Sequence, residues 1–380
     1  MGPAIRIYDG AQLRAVDWPD GPRAHLVRRF LAPLMVHGPH VYIDNVRADM
    51  RLLVIDGQIL PLVVPEDGRP GECSNVCSPY THYVRYGLDE LEKWDNPVLE
   101  RLMGASLGAL GKALSDRRIE EVVYVNNWLL STNPLPELST EQVRHVTEFL
   151  VARFPSRAIV FRSVERFRHA PLLEALARNG YRMATSRKVY YVPPPEPHGP
   201  CKDNLRLDRK LLASTPYEVI DRNRLGPADA PRLTELYRRL YLDKYSLCNP
   251  HFNEAFFQHV TRCDGVTVKA LRKDGRIDGF IAYFVLDGIT IGLALGYDLE
   301  QPRRLGLYRM CVGLLTEGAR QAGALMHLSA GAGAFKMHRG ALSAPEYDAV
   351  YDRHLSSSRR FAWRILRTVF SDRLMMRIPD

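Results

Sequence analysis

The sequence predicts an α/β protein of two domains, each with a mixed, mainly antiparallel sheet flanked by helices. Its 380 residues are enough for two domains of ordinary size. A proline-rich stretch, Pro193–Pro200, divides the chain into nearly equal halves and has the composition of a semi-rigid linker. On either side of it, helical and strand patterns alternate around Asp-Gly turns, which are typical of β-hairpins.

Composition and charge narrow the class of protein. Hydrophobic residues make up 46% of the chain and charged residues 25%, as in globular proteins with sizeable cores. Because no apolar run approaches the roughly 18 residues of a membrane span and no signal-peptide core is visible, we expect a cytoplasmic protein without membrane insertion. The net charge of +9 favours an anionic substrate or partner, although a generally basic enzyme would have the same charge.

Several kinds of catalytic site have no signature in the sequence. The six cysteines are scattered and their spacing does not complete a zinc site, so we expect reduced thiols and no metal. The Gly-x-Ser-x-Gly elbow, the Gly-x4-Gly-Lys-Ser/Thr phosphate loop and the His-Glu-x-x-His motif are also missing. A mechanism without a covalent enzyme intermediate fits these absences.

The second half of the chain has the clearer pattern. A first helix starts at Asp229-Ala230-Pro231, where an acidic cap precedes an early proline. Glycines in the third strand, Gly292 and Gly296, predict a β-bulge. After the first helix the predicted order is helix, three strands, basic turn, helix, strand and helix: Phe252–Val260, Val266–Leu271, Ile277–Val285, Ile289–Tyr297, Gln301–Gly306, a helix from Leu307, Leu325–Leu328 and Ala344–His354.

The first half is a rougher version of the same order, and residues 1–50 give no clear pattern. Asn96 is the predicted cap of its long helix. The predicted elements are a hairpin, a helix, a strand, a helix, a strand, a short helix and a strand: Leu52–Val64, Pro97–Leu114, Val122–Asn126, Glu141–Phe154, Ala158–Phe161, Pro171–Arg178 and Tyr181–Val192. At the C-terminus, Arg359–Phe370 predicts an amphipathic basic helix, either docked on the protein or contacting nucleic-acid phosphates.

The turn Arg303–Tyr308, placed after three strands and before a helix, resembles the loop of GNAT acyltransferases that binds the pyrophosphate of acyl-CoA. That loop has the pattern Arg/Gln-x-x-Gly-x-Gly/Ala. Arg303 and Gly306 match its first two positions, while Tyr308 replaces the second small residue. The two similar halves resemble the tandem-domain, FemAB-like branch of these proteins. The resemblance implies a GNAT-like domain at 1–192, a linker at 193–203 and a second GNAT-like domain at 204–380.

The resemblance also implies a donor site at this turn. Free backbone amides and the dipole at a helix N-terminus favour phosphate, and glycine lets the backbone approach it closely. The expected donor-binding residues are Arg303, Arg304, Gly306, Tyr308 and Arg309. The co-substrate is acyl-CoA or, as in FemAB-like relatives with altered loops, aminoacyl-tRNA, and no permanently bound cofactor is expected.

Further site residues follow from the same resemblance. In GNAT proteins the bulged strand presents backbone donors to the thioester carbonyl, which places Tyr297 and Asp298 beside the reaction. His82, in a polar and aromatic cluster of the first half, is the candidate base. The expected substrate-binding residues are Lys244, Tyr245 and Asn249 at a break between helices, and Ser329, Lys336 and Arg339 in a segment of small residues.

The resulting hypothesis is an acyltransferase that forms an amide between an activated acyl donor, acyl-CoA, and the amine of a small molecule or peptide. Two alternatives stay open. The chain could transfer an aminoacyl group from tRNA, or it could be a GNAT-like binding module that has lost catalysis.

Overall fold

The strands described by the computed structural model, which covers residues 4–66, 71–91, 97–194, 203–372 and 376, form one continuous sheet of twelve. They are β1 (Ile5–Tyr8), β2 (Ala48–Ile55), β3 (Gln58–Pro65), β4 (Val122–Val125), β5 (Ala158–Glu165), β6 (Arg182–Val192), β7 (Glu218–Asp221), β8 (Thr267–Lys273), β9 (Arg276–Leu286), β10 (Ile289–Tyr297), β11 (Leu325–His327) and β12 (Leu342–Tyr351).

The helices lie on both faces of this sheet. They are α1 (Pro22–Leu26), α2 (Ala32–His37), α3 (Tyr86–Leu91), α4 (Pro97–Ser115), α5 (Thr140–Arg153), α6 (Arg166–Arg178), α7 (Asp203–Ser214), α8 (Ala230–Arg238), α9 (Glu254–Arg262), α10 (Leu307–Gln321), α11 (Gly333–Met337) and α12 (Ser357–Val369). Turns of π-helix join α1 to α2, precede α3 and follow α8, at Val27–Leu31, Thr81–Arg85 and Arg239–Tyr245. None of the helices in the described ranges combines the length and apolarity needed to cross a bilayer.

The two halves of the chain exchange their last strands. The strand order is β1-β2-β3-β4-β5-β12-β6-β11-β10-β9-β8-β7. Thus β12 of the second half lies between β5 and β6 of the first half, and β6 lies against β11 of the second half. The pair β6–β12 at the centre of the sheet is antiparallel from Leu342 beside Tyr191 to Val350 beside Arg182. Each half therefore completes the sheet of the other.

Two parallel strand pairs mark corresponding places in the halves. β4 is parallel to β5 and β10 is parallel to β11, whereas the other neighbouring strands are antiparallel. Parallel neighbours need a crossover, which α5 supplies in the first half and α10 in the second. The fold thus repeats one unit twice, in opposite strand directions about the central β6–β12 pair.

Three hydrophobic cores show how the helices are layered. One core runs along a whole face of the sheet and includes buried residues of α1, α2, α4, α8, α9 and α12. On the opposite face, α5 and α6 cover the first half, and α10 with the flank of α7 covers the second. As a result, α10 and the segment Thr81–Leu91 approach the sheet from opposite faces.

The predicted fold class, a mixed, mainly antiparallel sheet flanked by helices in both halves, is confirmed, and so are the hairpin around Asp56-Gly57 and the three strands of the second half. The register shift between Gly292 and Ala294 confirms the predicted bulge. Residues 1–50, which the sequence left unassigned, supply β1, α1, α2 and the start of β2. Asn96 and residues 195–202 of the linker lie outside the described residues.

One element prediction was wrong, and one predicted helix starts earlier than expected. The predicted helix Ala344–His354 is strand β12, because these residues pair on both sides with β5 and β6 of the other half, which a local pattern cannot show. The short helix predicted at Pro171 begins five residues earlier, at Arg166, where the Glu165 side chain caps it by accepting from the Arg168 amide. Pro171 is tolerated next to a kink at His169.

The strand exchange predicts that neither half folds alone. A chain of residues 1–194 lacks β12, and a chain of residues 195–380 lacks β6, so β5 or β11 becomes an unpaired edge. We expect each half alone to aggregate or unfold without cooperativity, and co-expression to restore the full-length transition in circular dichroism. Cooperative unfolding of residues 1–194 near the full-length Tm would contradict the expectation.

Candidate functional site

The sheet of the second half splits between β10 and β11. These strands pair only from Ile289 to Ile291, beside Leu325 to His327, whereas β10 continues to Tyr297 along β9. The β11 side of Gly292–Tyr297 therefore has no strand partner within the described part of the chain. Backbone N–H and C=O groups on that side face the gap and are available to another molecule.

The N-terminus of α10 lies next to this split. A turn of 3-10 helix, Arg303–Leu305, leads into Gly306, whose φ of 70° and ψ of 31° are left-handed and favour glycine. A Cβ at this position would come within 2.8 Å of the Leu211 side chain of α7. No side chain caps the helix, so its first amides are left for an external acceptor.

In the first half, the N-terminus of the corresponding helix, α5, is capped by side chains. The Ser139 hydroxyl accepts from the Gln142 amide at 3.1 Å, and the Gln142 side chain accepts from the Ser139 amide at 3.0 Å. This capping box satisfies the first amides of α5 from within the chain. The residues after β4 are also buried, including Asn127, Trp128 and Leu129, and fill the space beside that strand. Of the two corresponding helix ends, the one in the second half is open.

The expected donor-binding residues divide into two groups. Arg303 and Arg304 are exposed, and neither forms an ion pair with another described residue. In contrast, the Arg309 guanidinium lies 2.8 Å from the buried Asp208 carboxylate of α7. Arg303, Arg304 and the backbone at Gly306 are thus accessible to an anion. Arg309 instead links α7 to α10 through its ion pair with Asp208.

Tyr308 spans the split instead of leaving it open. Its ring centroid is 5.8 Å from that of Tyr297 on β10 and 4.8 Å from that of Phe335 on α11. Burial, followed by the neighbouring phenols, raises the pKa of Tyr308, so its hydroxyl is protonated. An aromatic wall therefore occupies the position where the GNAT pattern has a small residue.

Lys336 and Arg339, expected to bind anions, are buried and engaged. The Lys336 ammonium donates to the carbonyls of Ser329 at 3.2 Å and Ala330 at 2.8 Å. The Arg339 guanidinium lies 2.6 Å from Asp208 and 3.4 Å from the centroid of the Phe335 ring. Because a buried charge without a partner is costly, these contacts give both residues a role in holding the loop after β11. Ser329, with φ of 57°, begins this loop.

The break between α8 and α9 places Lys244, Tyr245 and Asn249 on the other face of the sheet. Asn249 is buried and donates to the Tyr241 carbonyl at 2.9 Å, which fixes the break. Tyr245 is 42% exposed, and the Lys244 ammonium lies 5.5 Å from the centroid of its ring. Lys244 and Tyr245 therefore border solvent at the site, and Asn249 supports them.

Comparison with known proteins bears on the fold that carries this site. Residues 201–347 match the family model described as an acetyltransferase (GNAT) domain. The fold is similar to the crystal structure of FemX, with 9% identity over 84% of this chain and 91% of that chain and a TM-score of 0.51. The GNAT domain model thus matches the second half of the chain, and the chain has a fold similar to that of FemX. A conserved protein of unknown function from Bacteroides thetaiotaomicron is also similar, with 11% identity over 91% of this chain and 99% of that chain and a TM-score of 0.51. A search of proteins with curated functions found no match.

Among the candidate catalytic residues, Asp298 is fully engaged by neighbouring groups. Its carboxylate accepts from Arg232 at 2.8 Å, Arg276 at 2.7 Å and the Glu300 amide at 3.0 Å. Burial opposes its ionisation, but the Glu300 amide and the Arg232 guanidinium outweigh burial and lower the pKa of Asp298. The geometry therefore gives Asp298 a structural role. Tyr297, one residue before it, lies at the end of the split strand, and burial raises the pKa of its phenol.

His82 contacts the last strand of its own half. It lies in the π-helical turn before α3, and its Nε2 is 2.8 Å from the Ser186 hydroxyl on β6. Burial, and then the charges of Arg162 and Arg187, lower the pKa of His82 to about 3. The imidazole is therefore neutral near pH 7. One turn later, and unlike His82, Tyr86 contacts the second half, where its hydroxyl forms a hydrogen bond with Asn249.

Sequence reasoning missed Tyr86, Tyr241, Arg187 and Glu346. Arg187 and Glu346 form the ion pair of the central strands, at 2.7 Å. Arg187 lies in a predicted strand but no motif marks it, and Glu346 lies in the segment misassigned as a helix. Tyr241 belongs to an aromatic stripe whose simplest interpretation is packing, and it does stack on Tyr237 at 4.8 Å. Only the fold brings Tyr86 to the other half.

The lowered pKa of His82 predicts a pH effect on stability. Between about pH 3 and pH 6.5 the unfolded chain binds a proton at His82 that the folded protein does not, so acidification through this window lowers the free energy of unfolding. We expect His82→Gln to gain about 1–2 kcal/mol relative to the wild type between pH 7 and pH 5, measured by denaturant unfolding. Two curves of stability against pH with a constant offset would contradict this assignment.

Proposed function

We propose that the protein transfers an acyl group from a phosphate-bearing carrier to an amine, at the split between β10 and β11. The observation that carries the proposal is the open N-terminus of α10, with its left-handed Gly306, beside the unpaired edge of β10. Helix amides and free arginines suit the carrier's phosphates. The edge amides of Gly292–Tyr297 suit the reacting carbonyl.

Acyl transfer needs little covalent chemistry from the protein. The amine nitrogen attacks the acyl carbonyl, the bond from carbonyl to carrier breaks, the nitrogen loses a proton and the leaving group gains one. Amides along β10 stabilise the oxyanion of the tetrahedral intermediate, and holding both substrates in the split supplies proximity. In our proposal, the protonated phenol of Tyr297 supplies the leaving group with its proton. The low pKa of His82 makes it a weak proton acceptor, so the amine proton leaves through water.

Acyl-CoA is the first candidate donor, because Arg303, Arg304 and Gly306 are the residues left free at the helix end. Aminoacyl-tRNA is the second, and Tyr308 favours it. The contact of Tyr308 with Phe335 closes part of the gap that a pantetheine arm would pass through. The acceptor in either case is the amine of a small molecule or peptide, approaching from the face of Tyr86 and Tyr245. We also propose that the protein acts in the cytoplasm.

The donor hypothesis is tested by turnover with a panel of acyl-CoA esters and amines. We expect Arg303→Ala/Arg304→Ala to raise the KM for acyl-CoA about tenfold, equivalent to roughly 1.4 kcal/mol, with kcat nearly unchanged, since these charges bind the carrier and not the reacting atoms. Arg360→Ala, exposed on α12, is the matched control. RNase-sensitive product from charged tRNA, without turnover of any CoA ester, would establish the second donor. Turnover with neither would refute the proposal.

Substitutions at the two glycines that flank α10 distinguish an effect on donor binding from an effect on stability. Gly306 at the N-terminus has φ of 70°, and Gly323 just past the C-terminus has φ of 58°. An alanine at either position costs about 1–2 kcal/mol of folding free energy for the left-handed backbone, and at Gly306 it also meets Leu211. We expect both variants to lower Tm, but only Gly306→Ala to raise the donor KM. An equal rise of KM in both would assign the effect to helix stability.

A further inference from the structure

The segment from Cys73 to Cys77 is a tight turn that lies where the two halves meet. The Cys77 amide donates to the Ser74 carbonyl at 3.0 Å and closes the turn. The Cys77 thiol lies 3.5 Å from the same carbonyl, and it also forms a hydrogen bond with the Cys73 thiol. Both cysteines are reduced. The turn therefore holds two free thiols in contact with each other.

The two thiols differ in access and in ionisation. Cys73 is partly exposed, whereas Cys77 is fully buried. The hydrogen bond with Cys77 lowers the pKa of the Cys73 thiol, and burial raises the pKa of Cys77. The Arg47 amide also donates to the Cys73 sulfur, at 3.5 Å, and such a donor stabilises a thiolate. Cys73 is thus placed to react with an external oxidant, and Cys77 is placed to attack the oxidised sulfur.

The residues between the two cysteines bind the second half of the chain. The Ser74 hydroxyl donates to the Cys248 carbonyl at 3.3 Å, and the Asn75 amide donates to the same carbonyl at 2.8 Å. The Asn75 side chain donates to Oδ1 of Asn249 at 3.3 Å. These three hydrogen bonds hold the break between α8 and α9 against the first half. A change in the geometry of the turn therefore changes this contact between the halves.

We propose that Cys73 and Cys77 are an oxidation site for a hydroperoxide, and that their disulfide weakens the contacts of the turn with Cys248 and Asn249. A disulfide joins sulfur atoms about 2 Å apart, closer than the sulfurs of two thiols in a hydrogen bond. Its formation therefore tightens the turn and displaces Asn75 from its acceptors in the second half.

The oxidation takes place in two steps. The Cys73 thiolate attacks the terminal oxygen of the hydroperoxide, so that a sulfur–oxygen bond forms, the oxygen–oxygen bond breaks, and the released alkoxide takes up a proton to become an alcohol. The Cys77 thiol then attacks the sulfenic acid at Cys73. The sulfur–sulfur bond forms, the sulfur–oxygen bond breaks, and hydroxide leaves as water with the Cys77 proton. The two thiols are oxidised and the hydroperoxide is reduced.

The test uses hydrogen peroxide and the full-length protein without substrates. The tryptic peptide Leu52–Arg85 contains these two cysteines and no other, because Arg69 precedes a proline and is not cut. We expect peroxide to convert this peptide to its internal disulfide at least about tenfold faster than it oxidises Cys263 or Cys311, because burial raises the pKa of both these thiols. Dithiothreitol should reverse the change in mass.

Variants separate the roles of the two thiols. In Cys77→Ala, dimedone should trap a sulfenic acid at Cys73, because the second thiol is missing, and Cys73→Ser should give neither product. Cys263→Ser, which removes a buried thiol elsewhere, is the control and should behave like the wild type. In the oxidised wild type we expect the Asn75 amide to exchange its hydrogen at least about tenfold faster than in the reduced protein, because it loses the Cys248 carbonyl.

Other outcomes overturn the proposal. Oxidation of the pair no faster than that of Cys263 would show that the turn does not activate Cys73. A stable sulfenic acid in the wild type, without a disulfide, would show that Cys77 does not attack it. Unchanged hydrogen exchange at Asn75 in the oxidised protein would show that the disulfide does not affect the second half. Since no substrate is present, failure of the proposed acyl transfer leaves these measurements unaffected.

Discussion

The ion pair between Arg187 and Glu346 holds the centre of the molecule together. The two residues lie on β6 and β12, the central neighbouring strands contributed by opposite halves, with 2.7 Å between Nε and Oε1. The same guanidinium donates to Ser329, after β11, and to Thr132, after β4, at 3.1 Å each. Buried charges are tolerated only when both partners and their hydrogen bonds are in place. The positions of the loops after β4 and β11 therefore depend on the strand exchange that brings this pair together.

The exchange gives two units of the same order, and local sequence then gives them different roles. Ser139 and Gln142 cap α5, and Trp128 with its neighbours fills the space beside β4. At the corresponding place in the second half, the end of α10 at Gly306 has no side-chain cap, and β10 is unpaired on one side beyond Ile291. The first unit also supplies the segment Thr81–Leu91, which contacts the second half where Ser246 donates to Asp89.

Burial explains why several basic and acidic side chains near the split between β10 and β11 are not available to ligands. The Asp208 carboxylate accepts hydrogen bonds from both Arg309 and Arg339. The Asp298 carboxylate accepts them from Arg232 and Arg276. In each case a buried carboxylate requires the guanidinium as its partner. Lys244 and Tyr245 stay exposed on one side of the split between β10 and β11, and Arg303 and Arg304 stay exposed at the turn before α10.

By itself, the sequence determined the features that depend on a few neighbouring residues. Asp56-Gly57, Asp274-Gly275 and Asp287-Gly288 all adopt positive φ in tight hairpins, and Gly306 in the turn Arg303–Tyr308 is left-handed. From α8 to β11, the order of elements in the second half followed from these turns and from helical periodicity, and it resembled the order of GNAT proteins.

Only the tertiary structure decided which strands pair across the halves and which side chains meet at the site. Segment Ala344–His354 has no local pattern that marks a strand, and its pairing with residues more than 150 positions away made it β12. The same long-range pairing brought Tyr86 to the second half and set Arg187 against Glu346. Backbone turns are encoded over a few residues, because φ and ψ preferences are local. Contacts between distant strands depend on burial and pairing energies that no short stretch of sequence contains.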